Sequence, residues 1–246
     1  MGNPGRRATV FGSVAAAYAA HRPGYPGEAV AWALGGVAGD VVDLAAGTGK
    51  LTEALTRCPG TAVTAVEPDP AMLDELRARF PDVRALEGAA EAVPLPDSGA
   101  DAVLVGTAWH WFDPPRALAE IARVLRPGGV FALLSNGDDP DVEWVTGYRA
   151  AAADGRAVAS QSGDVELPQH PAFTPAERRL FRWEVPTTVD DLLATLATHS
   201  WALMSTPADR DSAFARIRAY LATRPETASG SFTLPLVCSV LRASRR

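Results

Sequence analysis

The chain has 246 residues, 47% of them hydrophobic and 21% charged, with a formal net charge of -6 and a pI near 5.3. Such proportions describe a globular α/β-sized domain, not a disordered chain, and the acidic balance, with no basic run longer than two arginines, disfavours binding to nucleic-acid phosphates. Two cysteines far apart, Cys58 and Cys238, lack metal-ligand spacing; with no secretory leader and no apolar run of membrane-spanning length, they predict reduced thiols in a cytoplasmic protein.

Residues 1–9 carry Gly, Pro and Arg with little to bury and predict a loose start. Phe11, Val14 and Tyr18, at i, i+3 and i+7, predict a short helix over Val10–Tyr18, which the prolines and glycines of His21–Gly27 then break. Glu28–Val37 resumes as helix. A regular alternation follows: strand 41–45 and helix 49–57, strand 62–67 and helix 70–80, a short strand near 83–86, strand 101–106, and helix 115–125 opened by Pro114 or Pro115. Arg126–Gly129 stops that helix before a strand at 130–134. Alternation of this kind predicts an open, doubly wound parallel sheet covered on both faces. Beyond 135 the pattern predicts a helix at 142–153, a loop-like stretch at 154–170, a strand at 181–185, helices at 189–199 and 209–222, and a last strand at 231–241. The Gly- and Asp-rich residues 136–141 follow the fifth strand and read either as a solvated loop, the favoured reading, or as lining of an acceptor pocket, and His21, His170 and His199 read as isolated histidines.

The stretch from Asp40 to Leu55 reads as strand, tight turn and helix. Gly47 and Gly49 permit positive φ and close approach to a ligand, while Leu51, Ala54 and Leu55 recur at helical spacing. The next strand ends in Glu67, 24 positions after Asp43, where a carboxylate can accept hydrogen bonds from both hydroxyls of a ribose. A nucleoside cofactor is implied, either a dinucleotide or S-adenosylmethionine. Thr52 stands where a dinucleotide loop would carry its third glycine, so the dinucleotide fit is poor.

Five segments in this order, Val41–Gly49, Ala65–Asp69, Gly88–Asp97, Trp109–Asp113 and Leu125–Gly129, resemble the class I S-adenosylmethionine-dependent methyltransferases of the small-molecule group. Tyr18–Pro26 also resembles the N-terminal cap of one subgroup. The resemblance implies a single domain over 1–246 built on a seven-stranded, mostly parallel sheet with an antiparallel last strand. Residues 1–39 would form a helical cap, 40–135 the cofactor core, and 136–246 the acceptor-side cap and last strands. It places Asp43, Ala45, Gly47 and Gly49 around the methionine part of the cofactor, Glu67 and Pro68 at the ribose, and Met72, Ala90 and Glu91 at the adenine. Ala45 replaces the first glycine of the family's loop and Ala89 replaces a frequent acid, so adenine is expected to be read through backbone groups.

Thr107 closes the fourth strand beside the cofactor. Trp109, His110, Trp111 and Trp201 would face the methyl acceptor, with His110 either a general base or a locally packed ring. Tyr18 would close over the methyl group, and Arg22 would hold the methionine carboxylate or, alternatively, loop carbonyls. The implied function is in-line methyl transfer to a small organic molecule, which needs no metal. Partners are that acceptor and, at most, a second copy in a homodimer; neither nucleic acid nor membrane is expected. A cyclase or lyase using the same cofactor, a binding protein without turnover and a dinucleotide oxidoreductase remain as alternatives.

Overall fold

The computed structural model describes residues 19–153 and 166–246. The helix expected over Val10–Tyr18, and with it Tyr18, lies outside the described residues. Seven strands form one sheet: β1 (Gly39–Leu44), β2 (Thr61–Glu67), β3 (Arg84–Glu87), β4 (Ala100–Gly106), β5 (Leu125–Asp138), β6 (Glu177–Thr188) and β7 (Ser231–Ser244), in the order β3-β2-β1-β4-β5-β7-β6. β1 to β5 run parallel, and β7 is antiparallel to both of its neighbours. Helices are α1 (Gly27–Leu34), α2 (Lys50–Thr56), α3 (Pro70–Arg79), α4 (Pro114–Val124), α5 (Glu143–Ala153), α6 (Val189–Ala197), α7 (Ser200–Met204) and α8 (Pro207–Ala222), with a 3-10 turn at Trp109–Trp111. None of them is long and apolar enough to cross a membrane.

The near-continuous apolar runs of the central strands follow from burial on both faces. On one face Val41, Leu104 and Leu134 pack with Ala29, Val30 and Ala33 of α1; on the other, Val42, Val103 and Phe131 pack with Leu118 and Ile121 of α4. Each fully buried aliphatic side chain contributes about 1.5–3 kcal/mol. Asp113 accepts from the Arg116 amide at the start of α4, and a proline follows in its first turn, so the helix begins where Pro114 stands. A third cluster joins Trp144 and Tyr148 of α5, Leu192 and Leu196 of α6, and Ile217 and Leu221 of α8 to Leu234 and Leu236 of β7. The C-terminal helices therefore cover one end of the sheet, not its middle.

β5 departs from expectation at both ends. Leu125 already pairs with Ala100, and the Arg126–Gly129 segment is held by Gly128 N donating to Arg245 O and Arg245 N to Gly129 O. At its other end β5 pairs with β7 in unbroken register through Asn136↔Cys238, Gly137↔Val237 and Asp138↔Leu236. Residues 136–138 are thus strand and not the solvated loop expected of them. The strand order reverses between β1 and β4, so the loops leaving those two strands diverge and open a crevice at their carboxyl ends.

Candidate active site

The loop after β1 turns through three left-handed residues, Ala45 (φ 57°), Gly47 (φ 57°) and Gly49 (φ 86°). A Cβ at Gly49 would lie 2.6 Å from Phe80 Cε2, so any side chain there would force the ring to shift; at Gly47 the nearest atom would be Met72 Sδ at 3.6 Å. Ala45 holds its conformation at a cost of roughly 1–2 kcal/mol, and the turn still closes through Gly49 N donating to Ala46 O. At the end of β2, Glu67 is 5% exposed and accepts from Gly47 N at 2.8 Å through Oε2 and from Asp69 N at 2.9 Å through Oε1. Each oxygen keeps a further lone pair for a hydroxyl. Burial, first, and the neighbouring Asp69 charge raise its carboxyl, against the two amide hydrogen bonds that lower it.

Asp43 is fully buried. Its Oδ2 accepts from the Thr52 hydroxyl at 2.6 Å, whereas Oδ1 has no partner. Burial pushes the carboxyl up to about 7; the Thr52 hydrogen bonds oppose the rise and the Glu67 charge adds to it. A buried carboxylate oxygen left unpaired costs about 1–3 kcal/mol or more, and a cationic or N–H-bearing ligand would recover it. The orphaned Asp43 oxygen, the lone pairs of Glu67 and the space kept open at Gly47 fit the charged methionine end and the ribose of S-adenosylmethionine. Met72 and Ala90 are buried nearby, Pro68 is exposed, and Glu91 Oε1 accepts from Asp113 N at 2.8 Å, which ties the loop after β3 to the start of α4.

Beside this loop a cavity of about 710 Å³ opens at the carboxyl ends of β4 and β5. Thr107, a β-branched residue at φ 54°, sits on its rim and shares a 2.9 Å hydrogen bond with the Tyr25 hydroxyl. Backbone strain of this kind gathers at functional sites. Gly106 makes room for the same tyrosine, since a Cβ there would meet its hydroxyl at 2.6 Å. Asn136 Nδ2 donates to Gly24 O at 2.6 Å and draws the segment before α1 onto the strand end; its Oδ1 is buried without a partner.

Asn136 and Asp138 continue the face of β5 that carries Val130, Ala132 and Leu134, so the face turns from apolar to polar as it enters the cavity. Arg149 lies 3.6 Å from Asp138, and the Tyr148 hydroxyl stands beside that carboxylate without closing a hydrogen bond of regular geometry. Burial raises Asp138, with Tyr148, Arg149 and Arg22 opposing, and burial together with the Asp138 charge raises the Tyr148 phenol well above its ordinary value. Leu192, Leu196, Ile217 and Trp201 form the apolar wall.

The expected site residues divide accordingly. Asp43, Ala45, Gly47, Gly49, Glu67 and Met72 gather around one loop. Arg22 donates through Nε and Nη2 to Thr198 Oγ1 and O, at 2.8 and 3.1 Å, so the loop-binding alternative describes these contacts; it also borders the cavity. Trp201 lines the cavity with its ring edge-on to Phe214. Trp109 is a correction: it is 7% exposed and packs on Phe112 and Phe131 inside the core, because successive residues of a 3-10 turn point in different directions and only one of the three can face inward. His110 is exposed, 4.5 Å ring to ring from Trp111, and forms no part of the cavity wall. Desolvation, then the Arg22 charge, lower its pKa.

Asn136 and Asp138 fall in the 136–141 segment, whose alternative reading was pocket lining, and they line the cavity; Tyr148, Arg149 and His199 had not been singled out as site residues from the sequence. The polar residues at every second position of an apolar strand end were the signal for the first two.

Comparison with known proteins shows the family of the chain. A family model described as a methyltransferase domain matches residues 42–133. An uncharacterized methyltransferase of Mycobacterium tuberculosis is 43% identical over 236 residues, covering 95% of each chain. A solved structure from Anaeromyxobacter dehalogenans, provisionally assigned as a type II methyltransferase, superposes with a TM-score of 0.64 at 27% identity, over 92% of this chain and 98% of that one. The demethylmenaquinone methyltransferase of Chlorobaculum tepidum is 37% identical over 90 residues, 36% of this chain. The chain belongs to the class I S-adenosylmethionine-dependent methyltransferases.

Proposed function

We propose that the protein transfers a methyl group from S-adenosylmethionine to a small organic acceptor held in the cavity at the ends of β4 and β5. The observation that carries this reading is the cavity itself. Its volume of about 710 Å³ falls in the range of small-molecule sites, it adjoins the nucleoside loop, and it combines an apolar wall with a few convergent polar groups. When bound, the cofactor supplies a sulfonium methyl group for in-line displacement. The protein's part is positional. Glu67 orients the ribose, Asp43 Oδ1 meets the cationic end, and the strained Thr107, fixed by Tyr25, lines the acceptor space together with Lys50 of the nucleoside loop. Leu192, Leu196 and Ile217 exclude water, so charge that develops in the cavity is less screened.

The test is to incubate the protein with S-adenosylmethionine and a broad metabolite panel while measuring S-adenosylhomocysteine and methylated product. Stoichiometric release of both supports transfer. Cofactor consumption without a methylated product would instead favour the cyclase or lyase reading, and binding without turnover the non-catalytic one.

A further inference from the structure

Asn136 lines the cavity at the end of β5, where little about it is free to vary. Its backbone pairs with Cys238 of β7 inside a register that runs unbroken from Val130 to Asp138. Alternation along the strand puts its side chain on the face that carries Leu134 and Asp138. The direction of its amide is equally determined. Nδ2 donates to Gly24 O at 2.6 Å, and because a carbonyl oxygen only accepts, the nitrogen has to be the end that faces it. Oδ1 is therefore the other end of the amide, and it is buried without a hydrogen-bond partner. A buried acceptor left unpaired costs free energy that an arriving donor recovers.

Neighbouring polar groups at the same strand ends are already matched. Thr107 and Tyr25 share their 2.9 Å hydrogen bond, and Asp138, two positions on and about 7 Å along the strand, faces Arg149 at 3.6 Å. The Tyr148 hydroxyl is the other buried oxygen of the cavity wall without a partner of regular geometry, and it too can accept. What this end of the cavity lacks is a hydrogen-bond donor, whereas Leu192, Leu196 and Ile217, all buried, offer the rest of a ligand only apolar surface.

We propose that Asn136 is the specificity-determining residue of the acceptor site, and that its Oδ1 accepts a hydrogen bond from a hydroxyl or an N–H on a small molecule whose body is otherwise apolar. The inference rests on the acceptor occupying the cavity, as proposed above. The donor holds the molecule by one end at β5, and the apolar body lies against the leucines and Ile217. A molecule of the same shape without the donor leaves Oδ1 unpaired and is discriminated against, as in any site that pairs a ligand O–H or N–H with a buried polar group.

The experiment measures binding of two matched probe pairs to the full-length protein and to its Asn136→Leu variant, by calorimetry with S-adenosylhomocysteine present. The pairs are 2-naphthol with 2-methoxynaphthalene and indole with 1-methylindole, so that one arm reads an O–H donor and the other an N–H. Wild-type protein is expected to prefer the donor-bearing member of at least one pair roughly tenfold, and the variant to bind S-adenosylhomocysteine as before but to prefer neither member. Loss of the tether to Gly24 alone would weaken both members of a pair equally, so a preference that survives in the variant would overturn the role of Asn136. Wild-type protein that binds S-adenosylhomocysteine but shows no preference in either pair, or binds none of the four probes, would overturn the ligand class. Failure to bind S-adenosylhomocysteine would strike the cofactor reading beneath. Should the variant unfold, the side-chain amide resonances of Asn136 in wild-type protein serve instead: 2-naphthol or indole must shift them saturably, and resonances that neither moves would overturn the proposal.

Discussion

Replacing Gly49 by alanine, with Gly47→Ala as its partner measurement, separates two reasons for glycine in the loop after β1. Both residues are left-handed, at φ 86° and 57°, and an L-residue there costs about 1–2 kcal/mol. Alanine also restricts the unfolded chain, which returns about 0.4–1 kcal/mol. For Gly47→Ala that is nearly the whole balance, since its Cβ would meet only Met72 Sδ at 3.6 Å; the expected loss is about 1 kcal/mol. At Gly49 the Cβ would lie 2.6 Å from Phe80 Cε2, 3.0 Å from Cδ2 and 3.3 Å from Leu76 Cγ. Leu76 is fully buried and the Phe80 ring lies under the Arg79 guanidinium, so neither yields freely. Overpacking of this kind adds about 1–3 kcal/mol, giving an expected total near 2–4 kcal/mol. Urea unfolding without ligand, read by circular dichroism, measures both values. A Gly49→Ala loss below that of Gly47→Ala would refute the packing argument, and the account of the loop with it.

Further outcomes follow from the same contacts. Glu67→Gln should weaken S-adenosylhomocysteine binding by about 1.5–3 kcal/mol in calorimetry, the usual worth of a hydrogen bond to a charged group, and unchanged affinity would count against the ribose assignment. Asp43, whose folded carboxyl is raised to about 7 from a value near 3.8, binds a proton in the folded state over a range where the unfolded chain has released it. Its contribution to stability is therefore largest at acid pH, falls as pH rises between those two values, and stays flat above them. In Asp43→Asn that component of the slope should disappear from pH-dependent melting of the ligand-free protein, and an unaltered profile would contradict the buried, ionisable assignment. Trp109→Ala should cost about 3–5 kcal/mol in unfolding experiments, as core truncations do, while Trp201→Ala should chiefly raise the acceptor's KM; the reverse pattern would return Trp109 to the acceptor wall.

The loop after β1 and its contact with Glu67 were legible in the sequence because their determinants are local. Asp43, Gly47 and Gly49 lie within seven residues of one another, and Glu67 ends the very next strand, so spacing alone brings them together. The cavity at the ends of β4 and β5 is assembled from distant pieces. Asn136 and Asp138 looked solvated because the pairing that makes them strand comes from Cys238 and Leu236, a hundred positions away. His199 looked isolated because the residues that line the cavity with it, Arg22 and Arg149 among them, come from distant parts of the chain. Trp109 and Trp111 were indistinguishable by composition, and only the packing of Phe112 and Phe131 decides which of them turns inward. The family model likewise matches only residues 42–133 and ends just before the cavity's polar floor begins.

The most direct test of methyl transfer to a small acceptor is to supply methyl-labelled S-adenosylmethionine with a protein-free, nucleic-acid-free metabolite extract and to follow the label. Label moving into a low-mass product, one for each S-adenosylhomocysteine formed, is the predicted result. Label that leaves the cofactor only when protein or nucleic acid is supplied as acceptor, or calorimetry showing NAD bound and S-adenosylmethionine ignored, would contradict the account.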